Sequence, residues 1–247
     1  MDRMIYLAMS AAKQNLQAQA LSTHNLANVS TVGFKADFEA MRSMPVYGPG
    51  LPSRAYAMTE RPGTDFEAGS LVNTGRELDI AVTGPGFIAV IAPDGTEAYT
   101  RAGDLQLTAN GQLLTGAGHP VLGNGGPIAV PQSQSVLIGV DGTITVRAVG
   151  QEPNAPAQVD RIRLVRPDPA ELDKGTDGLF RRKDGLQAPP DANVRITRGA
   201  LEQSNVNSVL EMVSLITNAR NYEMAVKAMN TAQQVDAAGA RLLSLNG

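Results

Sequence analysis

The side chains best suited to catalysis or metal binding are few and scattered in this sequence. His24 and His119 are the only histidines, and neither lies in a pattern of further ligands such as a metal site requires. There are no cysteines, which excludes disulfides, thiolate metal sites and cysteine nucleophiles. Gly84 and Gly86 are not followed by a third glycine or a helical pattern, so they indicate a hairpin turn, not a dinucleotide loop. The sequence predicts no metal, no cofactor and no small-molecule substrate.

Carboxylates are the one abundant reactive group, since Asp and Glu together number 24 of 247 residues. Glycoside hydrolysis needs two of them, one with a raised pKa, and general acids normally occupy an enclosed pocket. Most of these acids lie beside glycine or in charged turns, where a solvated role is the default. We therefore expect no catalytic site, and a hydrolase stays open only as an alternative.

Charge and composition exclude several classes of partner. The 21 bases and 24 acids leave a net charge of −3, and the densest basic group, residues 181–183, is flanked by acids. A nucleic-acid surface needs a concentrated basic face, so none is expected. No apolar run reaches the roughly 20 residues that span a bilayer. The first residues lack the features of a secretory signal, so any export is expected to occur without a cleaved signal peptide.

Both ends of the chain have a helical pattern. Residues 1–28 contain neither Gly nor Pro, and positions 5, 9, 12, 16, 19, 23 and 26 form a heptad-like stripe that is apolar at five of seven places. Ser208 and Glu211 match a capping box, which predicts a helix start at Ser208. The 38 residues from there to Leu245 would form about 57 Å of helix. Neither thin stripe is expected to fold alone in water.

The middle of the chain has a different pattern. Six Asx-Gly dipeptides, the strongest short-range hairpin signal, separate short apolar or alternating segments between residues 71 and 198. Residues 29–70 include a stretch rich in Pro and Gly that we interpret as an extended, irregular connector, and 199–207 as the return connector. The expected fold class is α+β. Helices 1–28 and 208–247 form a discontinuous coiled-coil-like domain, and a central all-β domain spans 71–198.

Several segments resemble a known family. They are residues 22–35, 78–87, 99–103, 110–123 and 199–207. In this order they are similar to the signatures of the axial proteins of the bacterial flagellum, which are the rod, hook and hook-associated proteins. Residues 1–9 and 44–48 most resemble proximal-rod members, and distal-rod members are the next most similar.

The resemblance implies a structural role. It implies a building block of the proximal flagellar rod, the hollow drive-shaft that transmits torque and passes exported subunits. The expected partners are copies of the same chain, other rod proteins and, during secretion, the flagellar export apparatus. The expected location is the basal body, in the periplasm. A distal-rod subunit of the same family is the alternative, and a peptidoglycan-cutting hydrolase is an alternative of a different class.

Polymerisation through the terminal helices predicts a set of assembly contacts, because apolar stripes on long helices pack as knobs into holes. Phe34 and Tyr222 are the expected aromatic anchors. The whole predicted interface consists of Ile5, Met9, Leu16, Leu26, Asn28, Phe34, Asn205, Met212, Leu215, Ile216, Tyr222, Val226, Met229 and Leu243.

Overall fold

The chain folds into two compact units. In the computed structural model, described residues are 4–45, 55–131, 133–148 and 157–245, without the side chains of 40, 41, 43, 55–62, 133, 134 and 242–245. One unit, here called the helical unit, comprises residues 1–29, 36–65 and 206–247. The other, the β unit, comprises residues 30–35 and 66–205. The two long helices lie in the helical unit and most strands lie in the β unit, so the prediction of an α+β fold is confirmed.

The helical unit is built on two helices and one strand pair. Helix α1 spans Met4–Ala27 and helix α2 spans Ser208–Leu245. The end of α1 meets the beginning of α2 through a hydrogen bond from Asn25 to Glu211, so the two helices pack antiparallel. No helix among the described residues combines the length and the apolar character that a bilayer crossing needs.

Asparagines cap both helices. At the start of α2, Asn207 Oδ1 accepts hydrogen bonds from the backbone N–H groups of Val209 (3.1 Å) and Leu210 (3.2 Å). The predicted capping box of Ser208 and Glu211 is therefore wrong, because Asn207 is the N-cap and the Glu211 carboxylate accepts from Asn25 instead. At the end of α1, Asn28 Nδ2 donates to the carbonyl of His24 (2.9 Å), one of the carbonyls that a helix end leaves unpaired.

The expected connectors contain regular structure. Strands β1 (Asp37–Pro45) and β2 (Ala55–Thr64) form an antiparallel pair within residues 29–70. The register of this pair shifts between Glu39 and Ala40, which marks a β-bulge. Residues 200–202 of the return connector form a further strand. Composition alone indicated an irregular chain because Pro and Gly are depleted in strands, but strand pairing overrides that local preference.

Within its described residues the β unit contains 14 strands in short antiparallel pairings. They are β3 (Leu71–Asn73), β4 (Ile80–Thr83), β5 (Phe87–Ile91), β6 (Glu97–Thr100), β7 (Leu105–Leu107), β8 (Leu113–Thr115), β9 (Ser133–Ile138), β10 (Thr143–Ala148), β11 (Ala157–Arg161), β12 (Leu164–Val165), β13 (Leu172–Lys174), β14 (Phe180–Arg182), β15 (Arg195–Arg198) and β16 (Ala200–Glu202). The largest sheet has the order β12-β5-β6-β14-β13, and a second has the order β11-β10-β9. The remaining pairs are β15-β4, β16-β3 and β7-β8.

Four of the six predicted Asx-Gly turns join paired strands. They are the turns at Gly95, Gly111, Gly142 and Gly178, which connect β5 to β6, β7 to β8, β9 to β10 and β13 to β14. Each of these glycines has a φ between 76° and 86°. Only glycine adopts this region without strain, which explains why the dipeptide marks these turns.

Strand β5 lies between two hydrophobic clusters. Because successive side chains point to opposite faces, Ile88 and Val90 join the larger cluster while Phe87 and Ala89 join the smaller one. Tyr99 on the neighbouring strand is also in the smaller cluster, where its hydroxyl donates to Glu97 Oε1 at 3.0 Å. Burial raises the pKa of Tyr99 to about 12, so the hydroxyl stays protonated and can donate this bond. The core of the β unit is therefore buried on both sides of its main sheet.

Candidate assembly site

Small residues let the two long helices approach closely. Ala8 and Ala12 of α1 and Ala225 and Ala232 of α2 are all buried. The bulkier predicted interface residues Met9, Leu16, Tyr222 and Met229 instead line an open groove of about 460 Å³ along the same helix pair. The sequence analysis included Ala12 in the α1 stripe but left it out of the predicted interface, and it did not single out Ala8, Ala225 or Ala232, although the i, i+4 and i, i+7 spacing was visible in the sequence.

Asn25 ties three elements of the helical unit together. Its side chain is 2% exposed. Its Nδ2 donates to the Asp37 carbonyl (2.9 Å) and to Glu211 Oε1 (2.9 Å), and its Oδ1 accepts from the Asp37 N–H (3.0 Å). Since α1, β1 and α2 each supply one of these groups, the amide fixes the position of the strand pair on both helices. A carboxylate could not replace it, because it lacks the two N–H donors.

A broad apolar face remains uncovered on the helical unit. Large apolar side chains that are exposed on its helices are Met4, Tyr6, Met9, Leu16, Val209, Leu210, Met212, Val213, Ile216, Met224 and Val235. This many exposed large apolar side chains on two helices is typical of a protein–protein interface. The helices therefore carry one apolar seam that packs within the chain and a second that faces outward.

The predicted interface residues divide into three groups in the structure. Met9, Leu16, Met212 and Ile216 are exposed and belong to the outward face. Half-buried residues are Ile5, Leu26, Asn28, Asn205, Leu215, Tyr222, Val226 and Met229. Leu243 lies in α2, but its side chain falls outside the described part of the chain.

Phe34 makes up the third group, because its side chain is buried in the β unit. The ammonium of Lys174 lies 3.9 Å from the centroid of its ring, a cation–π contact. The same ammonium donates to the carbonyl of Lys35 at 2.8 Å. These contacts lie within one chain, and the expected role of Phe34 as an anchor between subunits stays a prediction.

Three charged side chains form a buried cluster in the β unit. Lys35, Arg101 and Glu202 are 1%, 5% and 1% exposed. Glu202 Oε1 accepts from Lys35 Nζ (2.6 Å) and from the Gly69 N–H (3.1 Å), and Glu202 Oε2 accepts from Arg101 Nη1 (2.9 Å). One carboxylate therefore compensates two buried cations. This Lys35–Arg101–Glu202 group is called the ion cluster below.

Backbone carbonyls accept further hydrogen bonds from the two cations, and of the buried nitrogens in these two groups only Arg101 Nε has no partner among the described residues. Lys35 also donates to the carbonyl of Glu67 (2.6 Å), and Arg101 donates to the carbonyls of Val82 (3.1 Å) and Gly84 (2.6 Å). A buried charge is tolerated only when it is paired and hydrogen-bonded in this way.

The ion cluster fixes the two chain segments that continue into the helical unit. Residues 30–35 and 199–205 run side by side, since the Gly33 N–H donates to the Glu202 carbonyl at 2.8 Å and the Asn205 N–H to the Phe34 carbonyl at 3.4 Å. Directly after these segments, at residues 36 and 206, the chain enters the helical unit. The charges were present in the segments that carry the resemblance, but the sequence analysis did not single them out. Their signal was a lone charge in an otherwise uncharged motif.

Three family models match separate parts of the chain. The model described as flagella basal body rod protein matches residues 5–35, and the flagellar hook protein FlgE/F/G D1 domain matches residues 81–146. The flagellar basal body rod FlgEFG protein C-terminal model matches residues 197–242. The three matches follow one another in the order that the sequence resemblance predicted.

Relatives that match along most or all of this chain are also flagellar basal-body rod proteins. The flagellar basal-body rod protein FlgF of Salmonella typhimurium is 42% identical over 252 residues, covering 100% of both chains. FlgF of Escherichia coli is 41% identical with the same coverage. FlgG of Buchnera aphidicola (subsp. Schizaphis graminum) is 34% identical over 91% of this chain and 95% of its own.

The chain belongs to the family of flagellar basal-body rod proteins.

Each of the three matched segments contains one residue of the ion cluster. Lys35 lies in the segment matched by the rod protein model, Arg101 in the D1 segment and Glu202 in the C-terminal segment. In this rod protein the three matched segments, which are distant in sequence, thus converge on one buried contact. The expectation of a flagellar rod protein is confirmed, and the predicted list of assembly contacts stays a prediction.

Proposed function

We propose that the chain is a structural subunit of the proximal flagellar rod that polymerises through the outward face of its terminal helices. The observation that carries the proposal is the apolar outward face itself. Eleven large apolar side chains are exposed on two helices that already bury a separate seam against each other. A chain that worked alone would gain nothing from this face and would risk aggregation.

Partners and location follow from the same proposal. The subunit packs against copies of itself and other rod proteins, with its helices paired as a coiled coil, in the periplasmic part of the basal body. It arrives there through the flagellar export apparatus without a cleaved signal peptide. The assembled tube transmits torque and passes later subunits, and the chain has no catalytic role in it.

The proximal position is supported by coverage. The FlgF chains of Salmonella typhimurium and Escherichia coli align over the whole of this chain, whereas the FlgG chain of Buchnera aphidicola (subsp. Schizaphis graminum) aligns over 91% of it. We assign the chain to the proximal rod because residues 1–9 and 44–48 most resemble proximal-rod members. A distal-rod subunit is the alternative that an experiment must separate.

Deleting the gene is expected to arrest basal-body assembly before the distal rod and hook, because each rod segment grows on the one below it. Basal bodies extracted from the deletion strain would be examined by electron microscopy. Complete rods and hooks in that strain would overturn the rod assignment. Mutant basal bodies that hold a normal proximal segment and stop at the distal rod would show that the distal alternative is correct.

Replacing Ile216 by Asp is expected to abolish incorporation without unfolding the subunit. Ile216 is 56% exposed, so the change costs the isolated chain little, on the order of 0.5 kcal/mol. In the assembled rod the same carboxylate would be buried in an apolar interface without a partner. Incorporation is measured by immunoblotting of purified basal bodies, and folding by circular dichroism.

The matched control is Leu186→Asp, which places the same charge at a side chain 66% exposed in the β unit. This variant should fold and incorporate normally. Normal incorporation of Ile216→Asp would show that the outward face of α2 makes no assembly contact at this position.

A further inference from the structure

Glu39 carries an unsatisfied carboxylate in the helical unit. It lies on β1 two residues after Asp37, so both side chains point to the same face of the strand. Asp37 is fully engaged there by its contacts with Asn25, His24 and Thr64. Glu39 Oε2 is also buried, yet it has no hydrogen-bond partner among the described residues. The register of the β1–β2 pair shifts directly after Glu39, between Glu39 and Ala40.

Glu39 lines a pocket with polar walls. The pocket has a volume of about 280 Å³ and is formed by α1, β1 and the first turns of α2. Ser22, Ser214, Thr217 and Asn218 contribute hydroxyl and amide groups to it. The Thr217 hydroxyl donates its proton to the Val213 carbonyl at 2.8 Å, so it can only accept from an occupant. Together with the Glu39 carboxylate these walls favour a group rich in N–H donors.

The free energy of the isolated subunit also favours an occupant. A buried acceptor without a partner costs about 1–3 kcal/mol, and more when it is charged. Glu39 is one of the residues that line the pocket, so its carboxylate is within reach of a group that enters there. A cationic donor that entered the pocket would therefore remove a penalty which the free chain carries.

Arg220 has the chemistry that the pocket requires. It is exposed on α2, and it is the only arginine in the described part of the helical unit that makes no hydrogen bond or ion pair. Its guanidinium presents five N–H donors in a planar fork that fits a carboxylate and neighbouring oxygens better than an ammonium does. The unpaired carboxylate and the unpaired guanidinium are thus complementary in charge and geometry.

We propose that the Glu39 pocket of one copy receives the guanidinium of Arg220 from a second copy. This proposal rests on the proposed polymerisation. In it, Glu39 and Arg220 are one pair of residues that determines which surfaces of two copies bind each other. The donor and the acceptor lie at different places on the same chain, so each copy offers one of each to different neighbours. Such head-to-tail contacts generate an open helical array when the rotation between copies does not close a ring.

Crosslinking between two differently tagged copies tests the proposal, because the chain has no cysteine of its own. One copy carries Glu39→Cys and the other Arg220→Cys, in a strain without the native gene. A short bis-maleimide is applied to purified basal bodies, since the two long side chains hold their Cα atoms too far apart for a disulfide. A crosslinked dimer that contains both tags is the expected product.

The control combines Glu39→Cys with Lys227→Cys. Lys227 is a cationic residue on the same face of α2 as Arg220, two turns further along the helix. Little mixed dimer is expected from this pair. The proposal is overturned if both tagged copies are present in basal bodies and no mixed dimer forms, or if only the Lys227→Cys copy is crosslinked. It is also overturned if one chain carrying both Glu39→Cys and Arg220→Cys yields only an internal crosslink.

If the cysteine variants do not incorporate into basal bodies, exchanging the charges of Glu39 and Arg220 tests the proposal instead. Glu39→Arg and Arg220→Glu should each abolish swimming, and the two changes together should restore it. Absence of restoration overturns the pocket contact. Failure of the proposed rod function would be visible separately, as complete rods and hooks in the gene deletion.

Discussion

Replacing Glu202 by Gln is expected to destabilise the β unit by about 3–5 kcal/mol. The change keeps the size of the side chain but removes the only anion in the ion cluster. Lys35 and Arg101 would then remain charged, with 1% and 5% exposure, and without a counter-charge. Removing one member of a buried ion group lowers stability more than replacing the whole group by apolar residues does, because the remaining charges stay desolvated.

Urea denaturation of the purified chain measures this effect, with hydrogen exchange used to follow residues 66–205 separately. The matched control is Glu171→Gln, which makes the same change at a surface ion pair. The Glu171 side chain in this pair with Arg182 is 57% exposed. Exposed ion pairs contribute about 0–1 kcal/mol, so the control should be close to the parent chain. Equal losses for the two variants would mean that the ion cluster contributes no more than a surface pair.

Replacing Gly33 by Ala is expected to have a comparable effect through the backbone alone. Gly33 has a φ of 68°, which costs an L-residue about 1–2 kcal/mol. The new Cβ would also lie 2.3 Å from the carbonyl carbon of Arg101 and 2.4 Å from the nitrogen of Ala102. Because these are backbone atoms, relief requires the two segments to separate, and overpacking of this kind adds about 1–3 kcal/mol.

Gly178→Ala separates the two contributions. Gly178 has a similar φ of 76°, but nothing lies within 4 Å of the position that its Cβ would occupy. This control should show the conformational cost alone in thermal or urea unfolding. If Gly33→Ala lost no more stability than Gly178→Ala, the close approach of residues 30–35 to Arg101 would not exist in solution.

The Glu202→Gln and Gly33→Ala predictions both concern the surroundings of Arg101 in the ion cluster. Gly33 brings the backbone against Arg101, and Glu202 neutralises Arg101 and Lys35 at the same place. Both connecting segments are held at this point, immediately before the chain continues into the helical unit. We therefore expect these variants to reduce assembly as well as stability, whereas a substitution confined to the outward helix face should reduce assembly alone.

The sequence by itself determined the class of fold, the family and most of the local structure. Helix α2 was predicted at its observed limits because an apolar stripe at helical spacing continues from Met212 to Leu243 without a proline. Four Asx-Gly turns were correct because positive φ is a local requirement that few residues meet. The absence of strong metal or catalytic motifs could likewise be judged from residue types and spacing.

Only the tertiary structure decided which groups meet across long separations in the chain. Lys35, Arg101 and Glu202 lie as many as 167 residues apart, and no local pattern indicates that one carboxylate serves both cations. Asn25 and Glu211 are 186 residues apart, and their contact replaced the predicted capping box. The β1–β2 pair was missed for the same reason, since cross-strand partners outweigh the low strand propensity of Pro and Gly. Local preferences are encoded within a few residues, whereas burial, charge compensation and strand register depend on what the fold brings into contact.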